Sequence, residues 1–297
     1  MSAIAPAAEG RRTRAHGTAV DARLVLRALA YRRVAPLADG GCADLPDAAA
    51  RLGADVAQEA LRSLPPGLPV DDYVISSTIL SALLMDGSAS SRAFLAAIAQ
   101  RVARPVDWMT HGYECAGWGF VFRNALAKAA ANGPRRLLLQ LVDVDLHQYT
   151  YWLANPQWGS SGFGICTLVV DVEPGTAWPL QVGAAAQAHA MVQMGRALRQ
   201  FSAARPHMPV AVPFFREVSR RVLLKCLDGA AVLPDGYAEF GHSFGSDPWL
   251  ALLMHRRDPA AAHGAHAIVN SLALNGYFAM AAIALAPDAR YRLEPAQ

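Results

Sequence analysis

Two kinds of apolar pattern alternate along this chain, and that alternation most constrains what it can fold into. Residues 73–78 open on the run Tyr73-Val74-Ile75 and residues 137–144 are apolar at six of eight positions, while residues 46–64 and 90–102 are apolar only at helical spacing. Short continuous runs suit strands buried on both faces, which occur where helices cover both sides of a sheet. The spacing predicts a helix over 46–64, with Leu52, Val56, Ala60 and Leu61 on one stripe and Pro65-Pro66 to stop it. It predicts further helices over 90–102, 117–132, 184–204, 214–227 and 249–256. Strands are expected over 22–35, 73–78, near 106, and over 137–144, 159–172, 265–274 and 278–285. Helix and strand in alternation imply α/β layers with part of the sheet parallel.

At 297 residues the chain can bury one large core or two fused halves. A division is expected near residue 173, giving a flexible tail over 1–20, an N-terminal half over 21–172 and a C-terminal half over 173–297. Charged residues are 17% of the chain and the net charge is +3, so a basic nucleic-acid-binding face is not expected. Cys42, Cys115, Cys166 and Cys226 include no C-x-x-C pair, which argues against a zinc site or a disulfide framework and for reduced thiols. No metal ligand set is expected. The apolar stretch 267–287 is broken by Asn270, Ser271, Asn275 and Gly276, so it suits paired strands rather than a membrane span. The N-terminus carries Arg11, Arg12 and Arg14 without an apolar run behind them, so no secretory signal and a cytoplasmic location are expected.

The chemistry centres on Glu114-Cys115-Ala116-Gly117-Trp118-Gly119, where a strand and turn lead into a helix. A thiol at a helix N-terminus is expected to ionise more readily, and its own N–H faces the site of oxyanion formation. A hydrolase elbow would need glycine two residues before the nucleophile, where Tyr113 stands.

Cys115-Ala116-Gly117 followed by a helix, Gly133 and an apolar strand resembles the nucleophile region of ketoacyl synthase III enzymes of the thiolase superfamily. The strand from Asp72, the 159–172 turn and strand ("FGDGAGA" in the family), Gly241-His242-Ser243-Phe244-Gly245-Ser246-Asp247-Pro248 ("GN-x-x-x-A-S-x-P") and Asn275-Gly276-Tyr277-Phe278 continue the resemblance in order. It implies a thiolase-like fold of two related βαβ halves in α-β-α-β-α layers, the second half shortened. The family's H-Q-A-N histidine would fall near Pro209, where no such motif stands. His207 is a shifted candidate, and the family's asparagine position holds His242.

Gly-His with an aspartate five residues on resembles a divergent Cys–His–Asp branch that includes starter-unit enzymes of polyketide pathways. By that resemblance Cys115, His242 and Asp247 are catalytic, with Asp247 also suited to begin a helix, and the N–H groups of Cys115 and Gly276 bind the oxyanion. The resemblance implies an acyltransferase of secondary metabolism with no permanently bound cofactor and an acyl-coenzyme A or acyl-carrier-protein thioester as donor. An acyl carrier protein is a candidate partner, and a homodimer or a heterodimer with a ketosynthase-like homologue is expected. Decarboxylative condensation, a non-catalytic partner subunit and thioester hydrolysis are the competing readings. Trp118, Tyr149, Tyr151, Trp152 and Trp158 are candidates to line an acyl tunnel. The pairs Arg135-Arg136, Arg220-Arg221 and Arg256-Arg257 are candidates for a coenzyme A phosphate or a carrier-protein face, with solvated helix surfaces as the alternative.

Overall fold

The structure, a computed structural model, describes residues 16–35, 44–64, 69–80, 83, 89–146, 150–175, 178–227, 229–259 and 264–294. Apart from a two-residue pair, Ala154–Asn155 with Gly159–Ser160, its strands are β1 (His16–Arg33), β2 (Asp72–Ser76), β3 (Trp108–Thr110), β4 (Arg135–Asp143), β5 (Gly164–Pro174), β6 (Trp178–Ala184), β7 (Val210–Ala211), β8 (His266–Leu272) and β9 (Tyr277–Glu294). The main helices are α1 (Leu45–Ser63), α2 (Ala89–Ala99), α3 (Gly117–Asn132), α4 (Ala190–Ala203), α5 (Glu217–Cys226) and α6 (Asp247–Arg257). The nine strands form one sheet in the order β3-β2-β4-β5-β1-β6-β9-β8-β7. β2 runs parallel to β3 and β4, whereas β5 is antiparallel to both β4 and β1.

Side-chain alternation along the strands shows the layers. In β4, Leu137, Leu139 and Leu141 join a core with α3 and α6, while Leu138 and Val142 face the opposite way toward α1 and α2. In β9, Ala279, Ala281 and Ile283 join that same central core, while Phe278, Met280 and Ala282 meet Met194 and Leu198 of α4. A period of two places successive residues on opposite faces, so each half of the sheet is covered twice. The layers are therefore α-β-α-β-α, with α3 and α6 in the middle. Trp118 of α3 meets Trp249 of α6 edge to face at 5.3 Å, and its indole N–H donates to Ser271 Oγ at 2.8 Å.

α1 begins as its sequence suggests: the Asp44 side chain accepts from the Asp47 N–H at 3.2 Å and Pro46 stands in the first turn. Glu59 on this helix is fully buried, and Arg292 of β9 meets it at 2.8 Å. Asp72 at the head of β2 is held by Lys128 at 2.8 Å and Arg135 at 2.5 Å.

Several boundaries differ from the sequence expectations. β1 starts at His16 rather than at residue 22, so residues 16–20, assigned by composition to a tail, pair with β6. β6 occupies a stretch for which the sequence reading expects no strand, yet Leu180 and Val182 are buried in alternation. The following helix accordingly begins at Ala190. β9 runs past Pro287 because the register there shifts: Leu26 pairs with Leu285 and Ala28 with Arg290, so a bulge accommodates the missing N–H. Residue 173, the expected division between halves, lies within β5. β1 pairs with strands of both halves, β5 on one side and β6 on the other. Among the described residues no helix is long and apolar enough to cross a membrane.

Candidate active site

Cys115 and His242, separated by 127 residues, meet at the ends of the two central helices. Cys115 sits in a single 3-10 turn, Glu114–Ala116, that runs into α3. Glu114 has φ 45° and Phe244 has φ 53°; among the described residues these are the only non-glycine residues with positive φ. Such conformations store strain and persist where surrounding structure enforces them. Here one precedes the thiol and the other follows the imidazole. The Glu114 carboxylate secures its bend by accepting from the Leu274 N–H at 3.1 Å.

His242 is clamped by the 159–162 turn: its N–H donates to Ser160 O at 2.9 Å and its carbonyl accepts from the Gly162 N–H at 2.9 Å. Gly162 is required there, because a Cβ would strike the Phe240 carbonyl. Cys115 Sγ lies 3.8 Å from His242 Nε2, and His242 Nδ1 lies 2.6 Å from Asp247 Oδ2. Nδ1 also faces the Phe214 carbonyl at 2.9 Å. Two acceptors at Nδ1 place the proton there, which leaves the Nε2 lone pair turned to the thiol. Asp247 is the first residue of α6, yet its carboxylate accepts from His242, from the Phe214 N–H at 2.8 Å and from the Ser243 N–H at 2.6 Å. Its geometry is thus that of an imidazole orienter. Cys115 is 6% exposed, His242 2% and Asp247 0%, so the three are shielded from bulk water.

That shielding reverses one expectation. Burial pushes the Cys115 thiol well above its ordinary range, and the nearby carboxylates of Asp143, Glu114 and Asp247 push it the same way. The Thr78 hydroxyl, 3.9 Å from Sγ, acts in the other direction. A helix N-terminus is worth about 1 kcal/mol, less than the cost of desolvating an ion. The resting sulfur is therefore a thiol, and its proton leaves only when the imidazole takes it. Burial likewise raises Asp247, opposed by His242 and the two backbone donors.

Other expected residues fall elsewhere. His207 lies in an exposed turn beside His266, away from the thiol. Pro209 stands just before β7; the chain reaches the imidazole beyond β7, at Phe214-Phe215, where the Phe215 ring is 5.3 Å from His242. The Gly276 N–H donates to Ala273 O at 3.0 Å within its turn, so an oxyanion role would first have to break that bond. Trp118 belongs to the central core rather than to a tunnel. Tyr149 and Cys42 lie outside the described residues. Arg135 and Arg136 are engaged by Asp72 and Asp171, Arg220 by Asp235 and Arg221 by Glu217. Arg256 lies over the Tyr291 ring, and Arg257 donates to the Leu293 carbonyl. Among the described residues no group of three or more His, Cys, Asp or Glu is placed to hold a metal.

What the sequence reading missed is the aromatic wall. Trp158, Phe163, Phe215 and Phe244 pack with Ile79 around Cys115. Beside them a cleft of about 380 Å³ opens between Trp158, Met191, Phe215 and Leu274, with Arg216 and Ser219 at its edge. Trp158 is a sequence candidate for a tunnel and Phe244 lies within the Gly241–Pro248 motif, but Phe163 and Phe215 come from segments with no motif that marks them.

No protein-family model matches the sequence, and no curated protein is significantly similar to it. The backbone is similar to that of a 3-oxoacyl-(acyl-carrier-protein) synthase from Burkholderia xenovorans LB400, with TM-score 0.65 and 10% identity over 94% of this chain and 99% of that one. It is similar also to 3-oxoacyl-(acyl-carrier-protein) synthase III from Pseudomonas aeruginosa PAO1, with TM-score 0.59 and 16% identity over 89% of this chain and 98% of that one. A third likeness is to the acyltransferase ChlB3, with TM-score 0.60 and 15% identity over 90% of this chain and 99% of that one. The layers, the sheet and these likenesses agree: the chain has the thiolase-like fold of the ketoacyl synthase III structures.

Proposed function

We propose that this chain is an acyltransferase that carries an acyl group on Cys115 from a coenzyme A or carrier-protein thioester to an acceptor. The observation that supports it is the buried line Cys115 Sγ, His242 Nε2 and Nδ1, Asp247 Oδ2, with spacings of 3.8 Å and 2.6 Å, beside the apolar cleft. His242 Nε2 takes the thiol proton as Sγ attacks the thioester carbonyl, and Asp247 stabilises the imidazolium that forms. The Cys115 N–H, at the start of α3, is the oxyanion donor. The tetrahedral species collapses by expelling the donor sulfur, which receives the proton from Nε2. An acceptor O–H, N–H or C–H then gives its proton to Nε2, attacks the acyl-cysteine and releases Sγ, to which the proton returns. No permanently bound cofactor enters this cycle.

Decarboxylative condensation is the runner-up. It develops enolate charge that needs further hydrogen-bond donors, whereas the described residues place a single imidazole at the thiol. The likenesses to a 3-oxoacyl-(acyl-carrier-protein) synthase III and to the acyltransferase ChlB3 support the acyl-transfer reading, with an acyl carrier protein as the candidate partner.

Intact-protein mass spectrometry after incubation with a panel of short-chain and aromatic acyl-coenzyme A thioesters tests the reading. The expected result is a single adduct of acyl mass that Cys115→Ala abolishes without loss of fold. No adduct with any thioester, from coenzyme A or a carrier protein, overturns it and favours a non-catalytic partner subunit.

A further inference from the structure

The cycle above gives no role to Asp143, a buried acid that lines the same small space as the thiol. Asp143 ends β4 and is 2% exposed. Its Oδ1 accepts from the Thr78 N–H at 2.6 Å and from the Ser77 hydroxyl at 3.2 Å. Ser77 Oγ in turn accepts from the N–H groups of Ile79 at 3.2 Å and Leu80 at 2.9 Å, which ties the segment after β2 into one network. Thr78 then directs its hydroxyl at Cys115 Sγ from 3.9 Å. The space among Thr78, Asp143, Leu141, Trp118 and Cys115 has no room for a water molecule. Nothing but protein therefore solvates either the carboxylate or this side of the sulfur.

We propose that Thr78 and Asp143 form a second positioning arm for the nucleophile, with the Thr78 hydroxyl donating to Sγ and Asp143 fixing the Thr78 segment. Thr78 and His242 both reach the sulfur, at 3.9 Å and 3.8 Å. When the proton passes to Nε2, the Thr78 O–H is the donor left facing the thiolate, and this charge-assisted bond shortens and strengthens. The Asp143 charge works the other way: it faces the sulfur across a dry gap and favours the protonated thiol until substrate arrives. The arm thus keeps the nucleophile aligned but latent, which limits adventitious oxidation of the cysteine. Other charged or titratable groups facing these residues are Glu114 beside the thiol, His242 and Asp247 from the C-terminal half, Tyr31 of β1 and Cys166 of β5.

The inference rests on Cys115 being the nucleophile, but its test reads sulfur reactivity without any acyl donor. Iodoacetamide alkylation of Cys115 is followed against pH by intact mass, with the Cys115→Ala protein as the blank. Thr78→Val is expected to slow alkylation at neutral pH by about tenfold and move its midpoint upward, with Thr78→Ser restoring both. Asp143→Asn keeps an oxygen acceptor and removes the charge, so its midpoint is expected to move down and alkylation to quicken by a similar factor. Should Asp143→Asn fail to fold, the Thr78 pair decides. Equal profiles for wild type, Thr78→Val and Thr78→Ser overturn the proposal, as does an upward midpoint in a folded Asp143→Asn protein. Normal shifts without any acyl adduct would instead sink the acyltransferase reading and leave this arm standing.

Discussion

Asp247→Asn is the perturbation whose outcome the geometry specifies most closely. The carboxylate receives three N–H donors, two on Oδ2 from His242 and Phe214 and one on Oδ1 from Ser243. An amide can place its oxygen at only one of those positions. With oxygen at Oδ2 it keeps the His242 and Phe214 bonds and sets its NH2 group against the Ser243 N–H. The opposite orientation sets NH2 against two donors and is disfavoured. The imidazole tautomer survives in either case, because the Phe214 carbonyl at 2.9 Å also accepts from Nδ1–H. What disappears is the negative charge beside the imidazolium. A hydrogen bond to a charged group contributes about 1.5–3 kcal/mol, so acyl-enzyme formation should slow by about 10- to 150-fold. Loss of the correct tautomer, by contrast, lowers turnover by about 10,000-fold in a serine-protease triad. Rapid-quench intact mass spectrometry at saturating thioester measures the rate, and urea unfolding should show about 1–3 kcal/mol lost to the orphaned Ser243 N–H. A fall of 10,000-fold in a folded protein would mean that the Phe214 carbonyl does not hold the tautomer. No change at all would remove Asp247 from the mechanism.

Asp143, pushed up to about 6 by burial against its backbone and Ser77 donors, makes a pH-dependent contribution to stability. Because its folded value lies above the ordinary 3.8, that contribution is complete below about pH 4 and is lost as pH rises through about 6. The loss amounts to about 3 kcal/mol. Urea midpoints of wild type minus Asp143→Asn should trace this fall between pH 4 and pH 7 (about 3 kcal/mol end to end), and a flat difference would contradict it. Trp158→Phe keeps an aromatic wall but loses the indole bond to Ser161 Oγ at 2.8 Å. It should raise KM for the thioester more than it lowers kcat, whereas Trp158→Ala should cost about 3–5 kcal/mol of stability in a denaturant titration. An unchanged KM in Trp158→Phe would place substrate outside the cleft.

Much of the fold was legible because its signals are local. The continuous apolar runs of β2 and β4, the cap and stripe of α1 and the cysteine at the head of α3 rest on neighbours within a few residues. Their burial on both faces already implied helices above and below a sheet. β6 was not legible: Pro179 is tolerated only because of what it pairs with, and a pairing partner 158 residues earlier leaves no local trace.

The same division holds for the site. The resemblance of the Cys115 and Gly241–Pro248 segments to ketoacyl synthase III enzymes pointed to Cys115, His242 and Asp247 as a nucleophile, a base and its orienter. Tertiary structure decided the rest. It returned His207 to an exposed turn, tied the Gly276 N–H into its own loop and brought phenylalanines from three segments around Cys115. It also decided the protonation state of the sulfur. The helix end that should favour thiolate is visible in sequence, but the dry surroundings and the Asp143, Glu114 and Asp247 carboxylates that outweigh it come together only when the layers close. Local sequence dictates which groups are present; the dielectric and the distances between them belong to the folded chain.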